Sequence, residues 1–110
     1  MLDWFRHLFS HEPAPHVYGG IIAGKGTKTF APVSVTTTAT QLLAYNGNRR
    51  VALISNNSAA AIYLGRDNTV TVANGMNLAA GGAITDTDSE DAWWAITASG
   101  ASDTRVLEIA

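Results

Sequence analysis

The feature that most constrains the fold of this chain is a succession of short β-prone runs, separated by turn residues, that occupies residues 32–110. The runs are rich in Val, Ile, Thr and aromatic residues and lie at 33–38, 40–44, 49–55, 60–65, 69–73, 76–79, 92–98 and 104–109. Clusters of Asn, Gly, Ser and Asp separate them, without helical periodicity in between. Because parallel sheets need helical crossovers, the pattern predicts an all-β fold: an antiparallel β-sandwich or jelly-roll-like domain of seven or eight short strands.

The length and composition of the chain indicate one folded domain without disulfide bonds. Of its 110 residues, 46% are hydrophobic and 15% are charged, which is typical of a globular protein. The lack of cysteine excludes disulfides, thiolate nucleophiles and cysteine-zinc sites. The net charge of −2, with scattered Lys and Arg, disfavours nucleic-acid binding. Because a core of this size is modest, self-association is an expected source of further stability.

Alternation within the runs gives a candidate core and candidate turns. Asn46-Gly47 is expected to supply the positive φ angles of a tight hairpin, and Asn74-Gly75 marks a second turn. The 49–55 run is apolar from Val51 to Ile54, so it is expected to be a central strand covered on both faces. The predicted core residues are Val51, Leu53, Ile54, Ile62, Leu64, Val70, Val72, Ile96, Val106, Leu107 and Ile109.

A different pattern occupies the first residues of the chain. Trp4, Phe5, Leu8 and Phe9 recur at three- and four-residue spacings, so residues 2–11 are predicted to form a short amphipathic helix. A helix of roughly 12 residues is not stable alone in water and has to pack against another surface. These four side chains are therefore candidate partner-binding residues.

Three surfaces remain open as the binding site of this arm: its own β domain, a partner protein or symmetry-related subunit, and a lipid surface. The polar side of the helix carries few Lys and Arg, which disfavours lipid, and no run of about 18 apolar residues exists to span a membrane. Two prolines and several glycines make residues 13–31 an extended, flexible tether, which favours a partner beyond the domain. The predicted organisation is an arm at 1–12, a tether at 13–31 and a β-sandwich domain at 32–110.

Three motifs resemble chemical sites, but each lacks a required part. His7 and His11 have the spacing of a zinc pair without further ligands. Residues 19–26 resemble a phosphate-binding loop, but Gly26 replaces the magnesium-binding Ser or Thr and no helical pattern follows. The acidic stretch 86–91 lacks the glycine and the bidentate glutamate of a calcium loop. We therefore predict no catalytic residues, no metal and no cofactor, and a protein that is not an enzyme.

Four aromatic residues of the β region are candidate interface residues. Trp93 and Trp94 are adjacent in a predicted strand, so their side chains are expected on opposite faces. One should enter the core, and the other should meet a loop, the arm or a partner. Tyr45 and Tyr63 could join the exposed tryptophan in a contact surface for sugar rings.

The order of the β segments carries a resemblance to a known class of proteins. One strand ends in Asn56-Asn57, the next ends in Gly65, and an Asn74-Gly75-x-x-Leu78 step is soon followed by a pair of glycines. In this order, residues 33–110 resemble small virion structural domains of tailed bacteriophages. The shared features are those of turns and strands, so they indicate a fold better than they indicate a function.

The resemblance implies a β-sandwich that attaches to a capsid or tail as a symmetric homo-oligomer, with a trimer favoured, and it supplies no catalytic residues. The expected function is that of a capsid decoration or cement protein, made in the host cytoplasm and located on the capsid surface of the virion. Its expected partners are the major capsid protein or other virion proteins. The alternative is a head-fibre or tail-associated module that binds a receptor or glycan.

Overall fold

A computed structural model describes residues 26–110, which form eight β-strands and, within that range, no helix. The strands are β1 (Lys28–Val35), β2 (Thr40–Leu43), β3 (Val51–Asn56), β4 (Ile62–Gly65), β5 (Met76–Leu78), β6 (Ala83–Asp86), β7 (Trp93–Thr97) and β8 (Ser102–Ile109). Burial alternates residue by residue along β3 and along most of β8, as expected for strands with one face on a core. The predicted arm lies outside the described residues.

The strands form two four-stranded antiparallel sheets. The first has the order β1-β8-β3-β6 and the second the order β2-β7-β4-β5. β1 pairs with β8, β2 with β7, β3 with β6 and β4 with β5, which is the pairing of one long hairpin wound around itself. The predicted all-β antiparallel fold is confirmed.

The connections lie at two ends of the domain, which we name after a buried polar residue at each. The registers define the ends: Val51 pairs with Ile109 at one end, and Val35 pairs with Ser102 at the other. The Arg49 end contains Gly26, Ala110 and the loops 44–50, 66–75 and 87–92. The Asn56 end contains the loops 36–39, 57–61, 79–82 and 98–101.

One hydrophobic cluster lies between the two sheets. The first sheet contributes Val35, Ile54 and Val106, and the second contributes Leu42, Ile62, Leu64, Leu78 and Ala95. Full burial of a Val, Leu or Ile side chain contributes about 1.5–3 kcal/mol, so this cluster is the main source of stability. Five of the predicted core residues are buried, namely Ile54, Ile62, Leu64, Val70 and Val106.

The six other predicted core residues, Val51, Leu53, Val72, Ile96, Leu107 and Ile109, are half-buried or exposed. The register explains most of this error. Ala52 and Ile54 take the inward positions of β3, so Val51 and Leu53 lie on the outer face of the first sheet. Leu107 and Ile109 are paired with them and lie outward as well. β3 is therefore covered on one face by the core, and not on both as predicted.

The run 69–73 is not the strand that its β-branched residues predicted. The Thr71 N–H donates to Asn74 Oδ1 at 2.8 Å, and the Asn74 N–H donates to Thr71 Oγ1 at 3.1 Å. The N–H and hydroxyl groups of Thr69 both donate to the Asp67 carboxylate, which holds the pKa of Asp67 below its usual range. These side chains thus form hydrogen bonds with backbone groups that would otherwise pair with a neighbouring strand, and the segment forms turns.

Two other connections differ from the sequence-based expectation. The Asn46-Gly47 pair does not form a tight hairpin, because β2 and β3 belong to different sheets. Within residues 26–110, positive φ angles occur at Gly81 and Gly100 alone. β1 begins at Lys28 and so includes residues 28–31, which were assigned to the tether. β1 is an edge strand, where Pro32 is tolerated.

Asn56 closes the end of the domain that carries its name. Its side-chain amide donates to the carbonyl oxygens of Ala60, Leu78 and Ala79 at 2.8, 3.0 and 3.2 Å. Its Oδ1 accepts hydrogen bonds from the N–H and the hydroxyl of Ser58. One fully buried amide therefore ties together the loops that follow β3 and β5.

Candidate functional site

An open apolar cleft lies at the Arg49 end, where β6 of the first sheet faces the second sheet. Its volume is about 610 Å³, and its apolar walls are formed mainly by Leu64, Met76, Ile84, Ala92 and Trp93. Arg66, Asp86 and Asp91 add charged groups to the lining. Apolar walls with a few polar groups are typical of clefts that bind a small molecule or a partner side chain.

Trp93 is held in this cleft by a defined hydrogen bond. Its indole Nε1–H donates to Asp86 Oδ2 at 3.1 Å, and the Asp88 N–H donates to Asp86 Oδ1 at 3.0 Å. The indole also packs against the hydrophobic cluster of the core. Since a carboxylate oxygen accepts more than one hydrogen bond, Asp86 keeps capacity for a ligand donor next to an aromatic surface.

Arg49 fixes the loop that forms one wall of the cleft. Its guanidinium donates to the Asp91 carbonyl at 2.6 Å, to the Ala44 carbonyl at 2.7 Å and to Glu108 Oε2 at 2.8 Å. The Arg49 side chain is fully buried, while that of Glu108 is 17% exposed. The planar guanidinium thus joins loops 44–50 and 87–92 to β8, which preorganises the cleft.

A second surface lies on the outer face of the first sheet. Phe30 pairs with Leu107, Leu107 pairs with Leu53, and Val51 pairs with Ile109 in the neighbouring row. We call these five residues the Phe30 face. Phe30 is 71% exposed and the other four are half-buried, so residues 26–110 leave this face open. A contiguous apolar patch on a sheet indicates an interaction surface.

The four predicted interface aromatics lie at three separate places. Trp93 lines the cleft, whereas Trp94 points to the outer face of the second sheet, where its partner is Gly65. Tyr63 pairs with Ile96 on that face and is a diagonal neighbour of Trp94. Tyr45 lies in loop 44–50 and is 65% exposed. The structure brings Tyr63 and Trp94 together and separates both from Trp93.

The predicted arm contacts Trp4, Phe5, Leu8 and Phe9 lie outside the described residues. Within residues 26–110, no group of three or more His, Asp or Glu side chains is arranged to hold a metal ion. No helix of that range is long and apolar enough to cross a bilayer.

The sequence interpretation missed Phe30 and Asp86. Phe30 precedes Pro32, where the sequence predicts the start of the domain, and its outward position on β1 follows from the pairing with β8. Nothing in the sequence connected Asp86 with Trp93, because that contact depends on the path of loop 87–92.

Comparison with protein-family models, with curated proteins and with solved structures gives no significant match. The cleft, the Phe30 face and the order of the β segments are the features that bear on function. A fold alone would not decide it, because one architecture serves many tasks.

Proposed function

We propose that this chain is a virion structural protein of a tailed bacteriophage, a capsid decoration or cement protein with a jelly-roll β-sandwich body. The single observation that carries the proposal is the Phe30 face, an apolar surface on a rigid sheet that residues 26–110 leave open. Jelly rolls occur in viral capsid domains as well as in lectins and cupins, so the fold is compatible with this role. The order of the β segments described above supports the phage assignment.

The proposed action is non-enzymatic binding to the shell. Each large apolar side chain that becomes buried at an interface contributes about 1.5–3 kcal/mol, offset in part by the loss of freedom on association. The Phe30 face and the arm residues Trp4, Phe5, Leu8 and Phe9 together supply nine apolar side chains for such a contact. The partners are the major capsid protein or other virion proteins, and symmetric copies of the chain repeat the contact over the capsid surface.

The test uses virions of the phage that encodes the chain. Mass spectrometry and imaging of purified particles should find the protein on the capsid in many copies. Shells stripped of the protein should rebind the wild-type chain and bind the Phe30→Ser variant at least about tenfold more weakly. Tyr45→Ser, which removes another exposed aromatic residue, is the matched control. A chain that is missing from virions, or equal binding of both variants, would contradict the proposal.

The Trp93 cleft favours one alternative, a head-fibre or tail-associated module that binds a glycan. An indole beside a carboxylate offers the stacking surface and the acceptor that a sugar ring uses. A glycan array probed with the full chain should then give a signal that Met76→Arg removes, because Met76 lines the cleft and is half-exposed. Val72→Arg, at an exposed position that is not among the cleft-lining residues, should keep the signal.

A further inference from the structure

The chain enters the described domain directly beside the Phe30 face. Thr27 and Ala110 exchange backbone hydrogen bonds at 2.6 and 3.0 Å, which fixes the chain up to that point. Gly26 then lies against Ile109, since a Cβ on Gly26 would be 2.6 Å from Ile109 Cγ2. Ile109 belongs to the Phe30 face, so the preceding chain starts at the border of that face.

The sequence of the preceding chain suggests an occupant for this face. The spacing of Trp4, Phe5, Leu8 and Phe9 predicts that a helix of residues 2–11 would have one apolar side. We propose that residues 2–11 lie on the Phe30 face of the same chain, so that the isolated protein covers its own apolar sheet. This inference concerns the isolated protein and does not depend on the proposed virion role. Binding to a shell through both surfaces would require the arm to leave the Phe30 face first.

The dimensions favour docking on the same chain. A helix of ten residues is about 15 Å long, and β1 and β3 are about 10 Å apart, two strand spacings. A flexible chain of about 14 residues, the number from 12 to 25, would span about 20 Å on average, which is enough to reach across the face. Such a tether gives an effective concentration in the millimolar range, so at micromolar protein the arm of the same chain outcompetes that of a second copy.

The edge of the sheet is a poorer site than its face. β1 is the edge strand nearest to the arm, but Pro32 removes one donor from it and Lys28 is exposed on it. Proline and lysine on an edge strand disfavour the addition of another strand. The apolar side of the arm therefore meets side chains of the Phe30 face, and backbone pairing along β1 is not expected.

Chemical cross-linking of the full chain tests this arrangement, because the sequence has no native cysteine. Glu12 follows Leu8 by four positions, so helical spacing predicts that Glu12→Cys places a thiol on the same side as the apolar residues of the arm. Ser55→Cys places the second thiol on the outer face of the first sheet, two positions after Leu53 of the Phe30 face. Asn77→Cys, exposed on the outer face of the second sheet, is the matched control.

A short bismaleimide should link Glu12→Cys to Ser55→Cys within one chain roughly tenfold faster than to Asn77→Cys, after correction for the reactivity of each thiol. Phe30→Ser and Leu8→Ser should each reduce the first rate several-fold, and Tyr45→Ser should leave it unchanged. Leu8 lies outside the β domain, so Leu8→Ser keeps the test valid if Phe30→Ser impairs folding.

Other outcomes would overturn the proposal. Linked dimers at micromolar protein, with little linked monomer, would assign the face to the arm of a second copy. Equal linking rates for Ser55→Cys and Asn77→Cys would mean that the arm has no preferred position on the domain.

Discussion

The two ends of the domain meet the same requirement with different chemistry. At each end, loops leave backbone carbonyl groups that need donors, and one buried side chain supplies them. Arg49 donates to three loop carbonyls and to Glu108. Asn56 donates to two loop carbonyls and to the carbonyl of Leu78 at the end of β5, and its own oxygen accepts two hydrogen bonds from Ser58. The difference is that one donor is charged and the other is neutral.

The charge determines how tightly each end is closed. A buried guanidinium needs a carboxylate, and the carboxylate is stabilised by contact with water, so Glu108 stays partly exposed. A neutral amide with all its partners in place can be sealed completely, as Asn56 is. The open cleft, the chain entry and most of the Phe30 face lie towards the Arg49 end. The Asn56 end is therefore the closed end, and the Arg49 end is the open end, where residues 26–110 leave the cleft and the Phe30 face accessible.

The largest expected effect is at the closed end. Asn56→Ala removes five hydrogen bonds, including the one to the carbonyl of buried Leu78, so it should lower the free energy of unfolding by about 3 kcal/mol. Urea unfolding followed by circular dichroism measures this. Asn57→Ala, at the exposed neighbouring position, should change it by no more than about 0.5 kcal/mol. Equal effects of the two variants would mean that Asn56 does not hold the loops together.

The open end should tolerate loss of its donor better. Arg49→Met keeps the length of the side chain but removes its donors, and it should cost about 2 kcal/mol in urea unfolding. The cost stays below that of Asn56→Ala because Glu108 can hydrate once its partner is gone. Arg66→Met, at an exposed position of the same end, is the control. A larger loss for Arg49→Met than for Asn56→Ala would reverse the comparison between the ends.

A third variant at the closed end should be stabilising. Thr104 is fully buried near Asn56, and its hydroxyl has no hydrogen-bond partner within the described residues. Thr104→Val keeps the shape and removes the unsatisfied hydroxyl, so it should raise the free energy of unfolding by about 1 kcal/mol.

Thr97→Val is the matched control for this variant. The Thr97 hydroxyl donates to the Ala61 carbonyl and accepts a hydrogen bond from Ser102, so its removal should destabilise the protein. If Thr104→Val also destabilised the domain, an interaction of that hydroxyl would have been overlooked.

The difference between the ends could not be predicted from the sequence. The β-prone residues of β3 identify it as a strand. Its residues from Val51 to Ile54 are all apolar, so the sequence does not indicate whether Val51 and Leu53 or Ala52 and Ile54 face the core. Asn56-Asn57 marks a strand end correctly, yet only the register decides which amide is buried. Arginine is usually a surface residue, so the residue type does not predict that Arg49 is buried. Its burial depends on loop carbonyls that converge from distant parts of the chain.

The cleft could not be predicted from the sequence for a related reason. Trp93 was recognised as a candidate, but its partner Asp86 belonged to a stretch interpreted as a solvated acidic loop, and β6 was not predicted as a strand. Local pattern thus identified the elements and most of the aromatic candidates. Contacts between the sheets define the cleft, and strand pairing within the first sheet defines the Phe30 face. Both follow from registers that a single sequence does not encode locally.

The smallest expected effect concerns the exposed ion pair near the closed end. The hydrogen bond from Arg105, assisted by one from Asn57, holds the pKa of Asp103 below its usual range. Because the folded-state pKa is depressed, the contribution to stability is present above the unfolded pKa of about 3.9 and is lost as the pH falls through the folded value. NMR titration of the Asp103 carboxyl should show its pKa rising in Arg105→Gln. The stability difference between this variant and the wild type should shrink below about pH 4. An unchanged Asp103 pKa would show that Arg105 does not stabilise the Asp103 carboxylate.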